Sequence, residues 1–73
     1  RNYGASIVIQ IGYVTTAGAE SVAGEYPNPV DANAAIYDLR DDLADRDDIQ
    51  TLFIQSDFGE GLVRYGFMNP IED

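Results

Sequence analysis

The sequence predicts an α+β domain: a small antiparallel sheet of three to four strands, in the chain order β(β)αββ, with one helix packed on one face. Three observations carry this. Apolar residues alternate with period two at both ends of the chain. They recur at three- and four-residue spacing in the middle. Proline, asparagine and glycine separate the two regimes.

The first strand is expected over Ser6 to Thr16. Ile7, Ile9, Ile11 and Tyr13 alternate with Val8, Gln10, Gly12 and Val14, which gives one strongly apolar face and one mixed face. Ala17-Gly18-Ala19 offers a turn. Ser21 to Tyr26 is a candidate second strand pairing back on the first, weakened by Gly24. Tyr26-Pro27-Asn28-Pro29 stops it, because each proline removes a donor and restricts the residue before it.

A helix follows. Asn28 suits the N-cap and Pro29 the first helical position. Asp31 falls three residues after the cap, where the helix dipole favours negative charge. Ala32, Ala35, Ile36, Leu39 and Leu43 form the core stripe, and the helix is expected to fade between Ala44 and Asp48. Ile49 to Ser56 reads as the third strand. Asp57-Phe58-Gly59-Glu60-Gly61 reads as a hairpin loop. Leu62 to Met68 reads as the last strand, with Val63, Tyr65 and Phe67 on one side and Leu62, Arg64, Gly66 and Met68 on the other. A single helix covers one sheet face only. The other face is therefore expected to expose apolar residues from among Val8, Val14, Phe53, Tyr65 and Phe67.

The chain, residues 1–73, is long enough for one domain. A domain of this size buries only about 60% of its unfolded surface and is marginal alone. With no cysteine and no histidine, a disulfide or a zinc site of the usual kind is not the staple that helps it. Oligomerisation or a bound partner remains. No apolar run is long enough to cross a membrane. A soluble, cytoplasmic protein is expected, in the host cytoplasm if the chain is viral.

Charge narrows the function classes. Thirteen acidic residues face four arginines, a net charge of −9. Such a chain repels nucleic acid and anionic lipid, and its electrostatic complement is a basic protein surface. Asp38, Asp41, Asp42, Asp45, Asp47 and Asp48 fall within eleven residues that also hold Arg40 and Arg46 and carry −4 of the total. Folding alone disfavours this row. Acids near a helix C-terminus oppose the dipole, and Asp38–Asp42 and Asp41–Asp45 are like-charge pairs. Asp42–Arg46 is the one pair of opposite charge at that spacing within the cluster. Three readings fit the row: a solvated helix face, an adaptation to high salt, or a surface imitating a phosphate backbone. Helix neighbours three or four apart stand about 5–6 Å from one another. That is close to the phosphate spacing of a nucleic-acid strand, slightly sparser.

Catalytic readings do badly. Cys, His and Lys are absent, so nucleophilic schemes are left with hydroxyls and carboxylates. Carboxylate-pair hydrolysis needs a cleft, for which one helix on a small sheet leaves little room. The glycines match no phosphate loop, and the loop after Asp57 lacks the spaced ligands of a calcium site. No cofactor or metal is expected.

No motif places the chain in a family. In size, acidity, lack of cysteine and simple α+β pattern it is similar to the small acidic proteins with which phages block bacterial defence, including anti-CRISPR proteins and nucleic-acid mimics. That resemblance implies a basic, nucleic-acid-handling protein as partner. The expected function is thus a non-catalytic inhibitor or adaptor. Asp38, Asp41, Asp42, Asp45 and Asp48 would engage Lys and Arg, with Tyr37 and Tyr26 as aromatic anchors. The rival is an assembly module that oligomerises through its open sheet face and an edge strand.

Overall fold

A computed structural model describes residues 8–57 and 61–70. Ser6, Ile7 and the centre of the loop after Asp57 lie outside them. The elements are β1 (Ile9–Thr15), β2 (Glu20–Tyr26), α1 (Pro29–Asp42), β3 (Ile49–Asp57) and β4 (Leu62–Met68). All neighbouring strands are antiparallel, in the order β2-β1-β3-β4. The expected α+β architecture is therefore present in its four-stranded form. α1 lies across β2, β1 and β3 and stands off β4, from which Met68 reaches the core.

Alternation in β1 does what the pattern requires. Ile9 and Ile11 turn toward the helix and are buried, against Ala32 and Ile36 of α1 and Leu52 and Ile49 of β3. Tyr13, Tyr26, Ala35, Leu39, Leu43, Ile54 and Met68 close around this cluster. Removing each such Ile or Leu from water contributes roughly 1.5–3 kcal/mol, so half a dozen side chains carry most of the drive to fold. Gly24 does not interrupt β2. It pairs with Ile11, and a Cβ there would sit 3.0 Å from the Tyr26 hydroxyl, so the glycine makes room for the tyrosine.

Each strand pair contains one bulge. The extra residue is Ala23 in β2, Gln50 in β3 and Tyr65 in β4. A bulge breaks the period-two alternation. Below Tyr65, Gly66 and Met68 oppose Ile54 and Leu52 on the helix side. Above it, Arg64 opposes Gln55 on the face away from the helix, the face where Phe67 opposes Phe53. The expectation that Arg64 shares a side with Gly66 and Met68 is thus wrong, and the bulge is the reason.

The open face also differs from expectation. Phe53 is only 1% exposed, because the Arg64 guanidinium lies over its ring, 3.7 Å from the centroid. A chain of hydrogen bonds crosses this face. Arg64 donates to Glu20 on β2 (2.8 Å) and to the Gln55 side-chain oxygen Oε1 (3.1 Å). Gln55 donates to Gln10 (2.9 Å), and Gln10 to Glu25 (2.7 Å). The face is a polar network over one covered aromatic. Exposed apolar surface is left at its margins, on Val8, Val22, Leu62 and Phe67.

The helix starts as predicted. The Asn28 side chain accepts from the Asp31 amide (2.8 Å) and donates to the Asp31 carboxylate (3.0 Å). It ends earlier than predicted, at Asp42. Leu43 is the C-cap, and the amides of Ala44 and Arg46 bond back to Asp41 and Leu43 in a tight turn. Asp residues extend a helix poorly and oppose its dipole here, so a turn replaces another helical turn.

Candidate functional site

The acidic row divides where the helix stops. Asp38, Asp41 and Asp42 lie on α1, while Asp45, Asp47 and Asp48 follow it. Asp38, Asp41, Asp42, Asp45 and Asp47 are all exposed, and none takes part in an ion pair among the described residues. Helical spacing therefore relates the first three carboxylates only.

Asp48 is different. Arg46 donates to both of its carboxylate oxygens, at 2.9 and 2.8 Å, and lies 5.4 Å from the Tyr13 ring centroid. The expected Asp42–Arg46 pair does not form, because Arg46 follows the chain into the turn and meets its near neighbour instead. The hydrogen bonds from Arg46 hold the Asp48 carboxyl below its ordinary range. The Ser21 hydroxyl and Arg46 lower the Tyr13 phenol likewise. Asp48 is ion-paired with Arg46, and the open acidic surface is Asp38, Asp41, Asp42, Asp45 and Asp47. Arg40 stands among them in the last helical turn, its Nε buried without a hydrogen-bond partner among the described residues.

The two tyrosines are placed differently as well. Tyr37 is on the helix and half exposed. Tyr26 ends β2 and packs against the core, where it walls a shallow groove between α1 and the β2 side of the sheet. The groove has a volume of about 160 Å³, and Ile11, Ala23, Ala35 and Leu39 line it together with Asp38 and Asp42. Three sequence-predicted residues, Asp38, Asp42 and Tyr26, thus meet at one place, and Asp41, Asp45 and Tyr37 lie outside it. The sequence reading missed the apolar wall. Ala23 is the bulged residue of β2, and nothing in its surroundings in the sequence marks it as such.

Chemically the groove offers two carboxylates, a phenol and an apolar lining. That combination suits the long aliphatic stem and charged head of a Lys or Arg. Among the described residues no group of three or more potential ligands is positioned to hold a metal ion, and no helix is long and apolar enough to cross a membrane.

Fold and site together define a two-layer α+β protein with an acidic helix across one face of its sheet. Compared with known proteins, the chain matches no family model, no curated protein and no solved structure.

Proposed function

We propose that this chain is a non-catalytic acidic binding protein that docks on a basic protein, of the kind that handles nucleic acid, and blocks or recruits it. One observation carries the reading: Asp38 and Asp42 rim an apolar groove, and no cation among the described residues pairs with either. A sequence constrained only to fold would neutralise such acids or place them nearer the helix N-terminus. A Lys or Arg of the partner lays its stem on Ile11, Ala23, Ala35 and Leu39, its charge between the two carboxylates and its flank against Tyr26. Asp41 and Asp45 extend the negative surface to neighbouring basic side chains, in the manner of phosphates along a strand. The lack of Cys, His and Lys supports a binding role over a catalytic one.

The test is affinity capture from nuclease-treated lysate at low and high salt, followed by binding measurements with the captured protein. Retention of a basic nucleic-acid-binding protein at low salt, lost at high salt, supports the reading, because exposed charges are screened within about 8 Å at physiological ionic strength. The reversals Asp38→Lys with Asp42→Lys, and Asp42→Lys with Asp45→Lys, should each abolish the interaction. Binding that survives both pairs overturns it.

A further inference from the structure

We propose that β4 is a self-association edge, and that its occupant is the β4 of a second copy of this chain, paired antiparallel about a twofold axis perpendicular to the sheet. β4 pairs with β3 on one side, and no described strand pairs with its other side. Leu62, Val63, Tyr65 and Phe67 on this single strand are 48–69% exposed. An exposed apolar edge is a template for another strand, and the bulge at Tyr65 bends this one locally without removing its exposed side chains.

Charge selects a second copy of β4 over other pairings of the chain with itself. Each copy carries −9, so association requires an edge free of acid. Leu62–Asn69 contains no Asp or Glu, and its one charge, Arg64, is turned onto Phe53 and Glu20 of its own chain. The opposite edge is unsuitable. β2 carries Glu20 and Glu25, and Asp38 and Asp42 stand beside it at the groove. Pairing through β2 would bring like charges together.

Geometry allows the arrangement. An antiparallel pair of this symmetry puts both helices on the same face of an eight-stranded sheet. Each helix spans β2, β1 and β3 and leaves β4 uncovered, so it is centred near β1. At about 4.8 Å per strand, two helices centred there stand roughly 24 Å apart, twice a helix diameter of about 10–12 Å. The overhanging β4 strands are what keep them from colliding. Area is sufficient too. Tyr65 and Phe67 offer roughly 250 Å² per copy, taking about 200 Å² for a whole aromatic side chain. Two copies thus supply about half of the ~1,000 Å² a stable interface needs, before Leu62, Val63 and the strand backbone are added.

Sedimentation equilibrium from micromolar to millimolar concentration tests this, with amide hydrogen exchange recorded at both ends of the range. The expected result is a mass approaching twice 8.0 kDa and β4 amides that exchange more slowly as concentration rises. Val63→Lys and Phe67→Lys should each weaken association at least tenfold, whereas Val22→Lys on β2 should not weaken it. A monomer throughout, or β4 exchange indifferent to concentration, overturns the proposal. So does an association that Val22→Lys breaks and the β4 variants do not, which would be stacking through the sheet face. None of these outcomes bears on the acidic groove, which lies at the other margin of the sheet.

Discussion

The guanidinium of Arg64 lies 3.7 Å from the ring centroid of Phe53 and seals it from water on the face of the sheet turned away from α1. One residue thus does the work of a second layer. Its plane stacks on the ring, its edges reach Gln55 and Glu20, and it ties β4 and β3 to β2 across β1. Replacing it with Ala should uncover Phe53 and destabilise the fold by about 1–2 kcal/mol, the combined scale of a desolvated cation–π contact and charge-assisted hydrogen bonds. Arg64→Lys should recover little of this, since an ammonium neither stacks in a plane nor bonds bidentately. Urea denaturation of the two variants beside the wild type checks both statements.

Gly12 is the companion of this arrangement. A Cβ there would stand 2.5 Å from Phe53 Cζ and would also collide with the Ser21 carbonyl oxygen. The first obstacle is a packed ring and the second is backbone, so neither yields cheaply. Gly12→Ala should cost about 1–3 kcal/mol by overpacking. In a domain of this size that lowers Tm by roughly 4–8 °C for each kcal/mol. Thermal unfolding reads it directly, and an unchanged Tm would mean that Phe53 does not rest on β1 in this way.

Much of this fold is legible in the sequence, for reasons that can be named. Asn28-Pro29 is a start signal with a mechanism, and the helix begins there. Leu62 to Met68 is bounded by turn residues on both sides, and the strand has those bounds. The bulges are not legible. Ala23, Gln50 and Tyr65 each add one residue to a strand without any change in composition, yet each shifts the alternation. One slip at Tyr65 was enough to put Arg64 on the wrong face, and hence to leave Phe53 uncovered in the sequence reading. The groove was hidden for the same reason, because its Ala23 wall exists only through a bulge. At the acidic row, helical spacing counted Asp42–Arg46 as a pair, but the helix stops before that spacing applies.

Two ion pairs make the protein sensitive to acid in a defined sense. Glu20, held by Arg64, and Asp48, held by Arg46, both titrate below their ordinary values of 4.5 and 3.8. In each case the unfolded chain takes up the proton before the native one does. The stabilisation is therefore fully present above about pH 4.5 and is lost as pH falls through the depressed native values. Carboxyl titration by NMR should find both midpoints below the ordinary ones, and Arg46→Gln should return Asp48 toward its usual range while leaving Glu20 in place. If Asp48 keeps its low midpoint in that variant, Arg46 is not the cause.

The acids left outside those pairs should behave in the opposite way. Asp41 and Asp42 sit at the C-terminal end of α1, where the dipole disfavours them, and Asp38 and Asp42 repel each other at i,i+4. Asp42→Asn should therefore raise stability, by a few tenths of a kcal/mol, and Asp38→Asn should do the same through relief of that repulsion. Added salt should raise the stability of the wild type more than that of the double variant, because there is less repulsion left to screen. The proposed function assigns these residues the reverse effect on binding. The double variant should be the more stable protein in urea and the weaker ligand for a basic partner. On the proposed function, these residues cost stability because binding and folding pull apart. Should Asp38→Asn with Asp42→Asn stabilise the chain and leave its partner affinity intact, the row is a solvated surface and the binding site lies elsewhere.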